Sequence, residues 1–167
     1  MGKPTVITAA EHAAALCREF EGLRLEPYLC PAGIPTIGYG LTSYADGRRV
    51  TMHDDSITED DAEQLLRDYL ERHCIRPLVR MSPKLLDAPP ECLAALASWA
   101  YNLGAGAYEK STLRRMVDAD DWTQVCVQLK RWVKAGNQTL PGLVRRREAE
   151  AALIEQAFKQ TSVEIAA

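Results

Sequence analysis

Glu21, Cys30 and Thr36 are the residues whose types and spacing point to chemistry in this sequence. Glu21 falls at the C-terminal end of the first helical pattern, just beside its apolar stripe, where the helix dipole is negative and burial is partial. Both effects disfavour a charged carboxylate, which makes Glu21 a candidate for a raised pKa and for general-acid work; its other reading is a surface glutamate. Cys30 and Thr36 bracket the turn Pro31-Ala32-Gly33, which brings a thiol and a hydroxyl near each other across a short loop. Taken singly they also read as a packed thiol and a strand threonine. Thr36, Gly38, Gly40 and Thr42 alternate with Ile37, Tyr39 and Leu41, so an extended strand has one face almost bare of side chains. A bare face beside an acid leaves room for an extended polymer; a twisted strand tolerating glycine is the alternative.

The elements that must position these residues follow from periodicity and punctuation. Thr8-Ala-Ala-Glu11 reads as a capping box, with Ala13, Leu16, Cys17 and Phe20 as the apolar stripe of a helix over 8–21 that Gly22 ends. Between Leu23 and Thr42 the prolines and glycines forbid a helix, and short alternating runs predict two or three small strands. Residues 43–57 read as a further short strand and loop. Thr58, followed by acids at 59, 60 and 61, starts a helix whose stripe is Ala62, Leu65, Leu66, Tyr69 and Leu70, with Pro77 stopping or kinking it. Pro90 opens a helix that is apolar almost all round from Leu93 to Leu103 and that Gly104 closes. Further helices are expected at about 111–118, 121–134 and 142–159. The layout is one α+β domain over 1–167. It has a small antiparallel sheet lobe at about 22–57, a connecting helix at about 58–76, and a larger helical lobe at about 78–160 joined by helix 8–21. A cleft between such lobes is the default ligand site.

Composition is consistent with a folded domain: 167 residues, 47% hydrophobic and 26% charged, with a net charge of −3 that argues against a general nucleic-acid binder. The average hides an asymmetry. Residues 54–71 carry eight acids and one base, and residues 110–147 carry nine bases and three acids. No apolar run reaches the length of a signal-peptide core or a membrane span, so the expected site of synthesis is the cytoplasm. The five cysteines form no CxxC and no metal-ligand spacing, which predicts free, mostly buried thiols.

The run FEGLRLEPYLCPAGIPTIGYGLT at 20–42, with ALASWAYNLGAGAYEKSTLRRM at 95–116 and LKRWVKAG and LPGLVRRREAE within 129–150, resembles the phage-type lysozymes, glycoside hydrolase family 24. The similarity covers roughly residues 8–158. That family's pattern of Glu, eight residues, Asp or Cys, five residues and Thr maps onto Glu21, Cys30 and Thr36. The resemblance implies a lysozyme-like fold and hydrolysis of the β-1,4 bond between N-acetylmuramic acid and N-acetylglucosamine in peptidoglycan. Glu21 would be the general acid, and Cys30 and Thr36 would position water or stabilise the transition state. It also implies that Tyr101 lines the sugar cleft; Tyr39 is a further candidate substrate contact, and Asn102 and Ser111 are candidates for hydrogen-bonding an acetamido group, with Ser111 capping a helix and Trp99 and Tyr101 in the core as plainer readings. No metal or cofactor is needed. The partner is a peptidoglycan glycan strand, not nucleic acid or membrane, and the expected state is a monomer acting on the periplasmic wall once another protein has permeabilised the membrane.

Two departures from the family pattern affect the chemistry. Cys30 stands where Asp is usual, and a thiol suits an electrostatic role only when ionised. Water held by Cys30 and Thr36 gives inversion, whereas attack by the sulfur gives retention; water attack is favoured because it gives Thr36 a part. Leu41 stands where His is frequent, so an arginine of the run Arg145-Arg146-Arg147 is expected to supply the missing partner, because consecutive helical residues point about 100° apart. Other readings are a Cys30–His peptidase drawing on His12, His53 or His73, and a wall-binding module that has lost catalysis. A redox pair between Cys17 and Cys30 is weighed against a packed thiol at Cys17. The basic stretch 110–147 is expected to attract an anionic wall polymer, with Arg114 and Arg115 as contributors.

Overall fold

The computed structural model describes the backbone of residues 2–166 and side chains from residue 5 to residue 160. Helix α1 spans Gly2–Phe20 and buries Ala9, Ala10, Ala13, Ala14 and Cys17, a face of small side chains that lets it lie close against the central helix. The expected cap at Thr8 is corrected: the helix begins six residues earlier, and Thr8 lies within it. Pro4 is tolerated because the N–H groups of a first turn have no intrahelical acceptor.

A small sheet follows, with β1 at Arg24–Leu29 pairing antiparallel to β2 at Pro35–Gly38 in the register Tyr28 to Thr36 and Leu29 to Pro35. The turn forms at the expected place, with the Gly33 N–H donating to the Cys30 carbonyl at 2.7 Å and the Cys30 N–H to Ile34 at 3.0 Å. The bare strand face does not form. Gly38 and Gly40 take positive φ of 62° and 89°, and Ile37 and Leu41 exchange backbone hydrogen bonds of 2.9 Å, so the chain doubles back instead of extending to Thr42. The further strand reduces to a bridge between Ser43 and Arg49.

Helix α2, Glu59–Tyr69, starts as expected: Thr58 Oγ1 accepts from the Asp61 N–H at 3.1 Å, and Asp61 accepts from the Thr58 N–H at 3.0 Å. Pro77 does not stop it. A π-helical turn at Leu70–Ile75 carries the chain into α3, Arg76–Met81, and Pro77 sits early in α3. The wider turn, with the Arg76 N–H bonded to Glu71 O, absorbs the hydrogen bond and the space that a proline denies a regular helix.

Helix α4, Pro90–Leu103, is the centre of the helical lobe: every residue from Cys92 to Ala100 is buried, and α1 and α8 pack against it. Gly104, with φ of 83°, closes it as expected. Trp99 stacks edge-on with Tyr108 and Trp132, which is the core reading. Short helices α5, Gly106–Glu109, and α6, Thr112–Asp118, lead to α7, Trp122–Leu129. Helix α7 ends five residues before the expected 134, because Lys134–Ala135 (β3) and Gln138–Thr139 (β4) form a hairpin turning at Gly136, φ 60°. Helix α8, Pro141–Ala166, completes the lobe. Among the described residues no helix is long and apolar enough to cross a membrane.

Candidate active site

Helix α1 ends at Phe20, and the Glu21 N–H still bonds the Cys17 carbonyl at 2.8 Å, so the carboxyl leaves from a fixed backbone. It lines a cavity of about 510 Å³ with Phe20, Asn102, Leu140, Pro141, Leu143 and Arg145. The turn after β2 closes on it: a Cβ added at Gly40 would stand 3.7 Å from Glu21 Oε2, which sets how near the sheet lobe comes to the acid.

Arg146 supplies the expected basic partner. Its Nη1 donates to Glu21 Oε1 at 2.6 Å, Nη2 donates to the Ser98 carbonyl at 3.1 Å and to Cys17 Sγ at 3.6 Å, and the guanidinium lies 5.8 Å from the Phe20 ring centre. Only 4% of the Arg146 side chain is exposed, so the contact to Glu21 is a charge-assisted bond in low dielectric. Beneath it Ser98 Oγ donates to Glu150 at 2.8 Å, Glu150 pairs with Arg147 at 3.0 Å, and Arg147 Nη2 donates to Asn102 Oδ1 at 3.2 Å. Sequence reasoning reached the arginine run, Arg147 included, and missed Ser98 and Glu150. The signal available was the i, i+3 and i, i+4 spacing of Glu150 from two arginines.

Cys30 and Thr36 come together across the hairpin turn. Cys30 is part-exposed; hydrogen bonds from the backbone at Ile34 and Ala32 lower its pKa from the usual 9.0, and the Thr36 side chain adds to this. Thr36 is only 2% exposed, and its hydroxyl donates to the Ile34 carbonyl at 2.9 Å, which fixes it on the inner side of the hairpin. The other four thiols are buried and all five are free, as the cysteine pattern predicts.

The remaining singled-out residues divide. Asn102 is exposed on the cavity wall with Glu21. Tyr39 and Tyr101 are tied to each other, the Tyr101 hydroxyl donating to the Tyr39 carbonyl at 2.6 Å, and the Tyr39 hydroxyl donates to Glu63 at 2.8 Å. The Tyr101 hydroxyl thus ties α4 to the sheet lobe, and the Tyr39 hydroxyl ties the sheet lobe to α2. Ser111 caps α6, accepting from the Arg114 N–H at 3.0 Å. His12 faces Glu91 at 3.7 Å and His73 stacks on Tyr69, contacts that lead away from a Cys–His pair. A larger cavity of about 790 Å³ lies between α7 and the C-terminal half of α8, around Trp122, Cys126 and Phe158, away from Glu21 and Asn102.

A small sheet lobe and a helical lobe meeting at an arginine-held glutamate define a lysozyme-like protein. The chain belongs to the phage lysozyme family, whose model matches residues 18–150. It is 34% identical over 152 residues to an endolysin of Acyrthosiphon pisum secondary endosymbiont phage 1, covering 89% of this chain and 98% of that one. It is 36% identical over 132 residues to a SAR-endolysin of Bacteriophage PS119, covering 78% and 73%. The structure of P22 lysozyme aligns with a TM-score of 0.73 at 27% identity, covering 86% and 94%. The protein is therefore a lysozyme, an enzyme of cell-wall lysis.

Proposed function

We propose that this lysozyme hydrolyses the β-1,4 bond between N-acetylmuramic acid and N-acetylglucosamine, with Glu21 protonating the leaving oxygen. The observation that carries the reading is the Glu21 carboxyl, in a cavity wall and fixed by Arg146 at 2.6 Å, at the place where the sheet lobe closes on the helical lobe. A general acid must be aimed as well as protonated, and the bond to Arg146 aims it. Cys30 and Thr36 hold the attacking water on the opposite side of the sugar, giving inversion. Asn102 donates to the substrate from the same wall as Glu21, and Tyr39, Tyr101 and Ser111 support the cleft behind it. The enzyme works as a monomer on glycan strands, without metal or cofactor. Names of its relatives support synthesis in the host cell and action on the wall beyond the membrane.

Purified peptidoglycan treated with wild type, Glu21→Gln and Cys30→Ala tests the assignment through new reducing ends and new free amino groups. Reducing ends that vanish in Glu21→Gln support it. Amino groups released without reducing ends mean a peptidase, and wall binding without either product means a module that has lost catalysis. NMR of the first-formed anomer separates the two stereochemical courses, and retained configuration would rule out direct attack by water.

A further inference from the structure

The arginine that holds Glu21 is shared with a second carboxylate. Arg146 Nε lies 3.4 Å from Glu150 Oε1 while its Nη1 bonds Glu21 at 2.6 Å. Glu150 is fully buried, with both side-chain oxygens engaged by charged or polar groups: Ser98 Oγ and Arg146 on one, Arg147 Nε at 3.0 Å on the other. The contact with Arg147 lies off the hydrogen-bonding line, so it is an ion pair held by packing. Arg147, also fully buried, reaches past Glu150 to the Oδ1 of Asn102 and thereby turns the Asn102 amide N–H groups away from itself.

A carboxylate and two arginines with almost no exposure are costly to bury, and packing alone is better served by apolar side chains. What the array does have is two outputs into the cleft. We propose that Glu150 is a positioning residue for catalysis: by drawing on Arg146 from behind it fixes the guanidinium on Glu21 and moderates its charge there, and through Arg147 it fixes the amide of Asn102. This rests on Glu21 being the general acid. An arginine paired with a single carboxylate favours its charged form, whereas a general acid must give up a proton; sharing Arg146 with Glu150 weakens the pull of the guanidinium on Glu21.

The groups facing this carboxylate are few. Helix α8 presents Arg146 and Arg147, α4 presents Ser98 and Asn102, and the end of α1 presents Cys17 and Glu21 against Arg146. Burial pushes the Cys17 thiol up to about 12, so it is a neutral neighbour. Burial raises the Glu150 carboxyl to about 7, against the pull of Arg147, Ser98 and Arg146, so it is charged on the alkaline side of neutrality.

The test is the pH profile of glycan cleavage by Glu150→Gln and by the double variant Glu150→Gln with Arg147→Met. The double variant removes both members of the buried pair, and so remains informative if the single change leaves Arg147 unpaired and unfolds the protein. In the single variant the alkaline limb moves to lower pH by about one unit, a tenfold change in the proton equilibrium. In the double variant it moves part of that way, and KM rises because Asn102 has lost its brace. A folded variant of either kind that loses activity with the alkaline limb unmoved overturns the proposal and leaves Glu150 a structural residue. Glu21→Gln in parallel keeps the two readings apart: if it still cleaves glycan, the general-acid assignment fails, whatever the Glu150 variants do.

Discussion

Glu21 and Arg146 stand 125 residues apart in the chain and 2.6 Å apart in the structure, the acid at the last turn of α1 and the guanidinium in the second turn of α8. The bond closes the two ends of the sequence on one another beside the sheet lobe, so the geometry of the site depends on how α1 and α8 pack on α4.

Arg146→Lys keeps the charge and loses the fork. A lysine presents one nitrogen and cannot serve Glu21, the Ser98 carbonyl and Glu150 together. We expect kcat to fall about tenfold or more, with KM changed much less, since one charge-assisted bond is worth about 1.5–3 kcal/mol. Steady-state kinetics on soluble glycan oligomers check this; an unchanged kcat would mean that Arg146 does not hold the acid.

Cys30 differs from the other thiols in environment. Hydrogen bonds from the backbone at Ile34 and Ala32 favour its thiolate, whereas burial disfavours the thiolates of Cys17, Cys74, Cys92 and Cys126. Iodoacetamide at about pH 8 should therefore modify Cys30 at least tenfold faster than the rest, and lysis should fall in step with its modification. Peptide mass spectrometry reads the order of labelling, and a different cysteine labelled first contradicts the hairpin environment described for Cys30.

The sequence signals that succeeded were local ones. Thr58 with Asp61, Pro90 with Gly104, and the turn after Cys30 each carry their geometry in a few adjacent residues. The signals that failed depend on what the chain meets later. A proline inside a helical pattern normally ends it, and only a π turn at Leu70–Ile75 lets α2 run on into α3 past Pro77. Alternation from Thr36 to Thr42 reads as a strand, yet two glycines with positive φ fold it back. Arg146 and Glu150 have the spacing of an ordinary exposed helical pair; the burial that gives them a role comes from α4 lying across that face. The acid, the thiol and the threonine were visible as residue types, and the charged array behind them was not.

The basic stretch is less available to a polymer than its composition implies. Arg114 donates to the Met81 carbonyl at 2.8 Å and the Glu109 carbonyl at 3.1 Å and pairs with Asp118 at 3.4 Å, so it ties α6 to α3, whereas the exposed Arg115 donates to Thr112 within its own helix at 2.7 Å. Arg114→Ala should cost about 1–2 kcal/mol of stability, and Arg115→Ala should leave stability nearly unchanged. Thermal melts separate them. The electrostatic expectation now rests on Arg115, and a rate of lysis in Arg115→Ala with unaltered salt dependence would remove it.

Asp54 gives the sheet lobe an acid limit. The Thr51 N–H, the Thr51 and Tyr44 hydroxyls and Arg48 lower its carboxyl from 3.8 to about 2. Because the folded pKa lies below the unfolded one, the folded state binds fewer protons between these values. The contribution of Asp54 is therefore present above about 3.8 and lost as pH falls through about 2. Asp54→Asn removes that dependence: its Tm should lie below the wild type near neutral pH, and the two should converge as pH approaches 2. Circular-dichroism melts across that range measure the gap. A gap as wide at pH 2 as at pH 7 would show that the loop is held by something other than the ionised carboxylate.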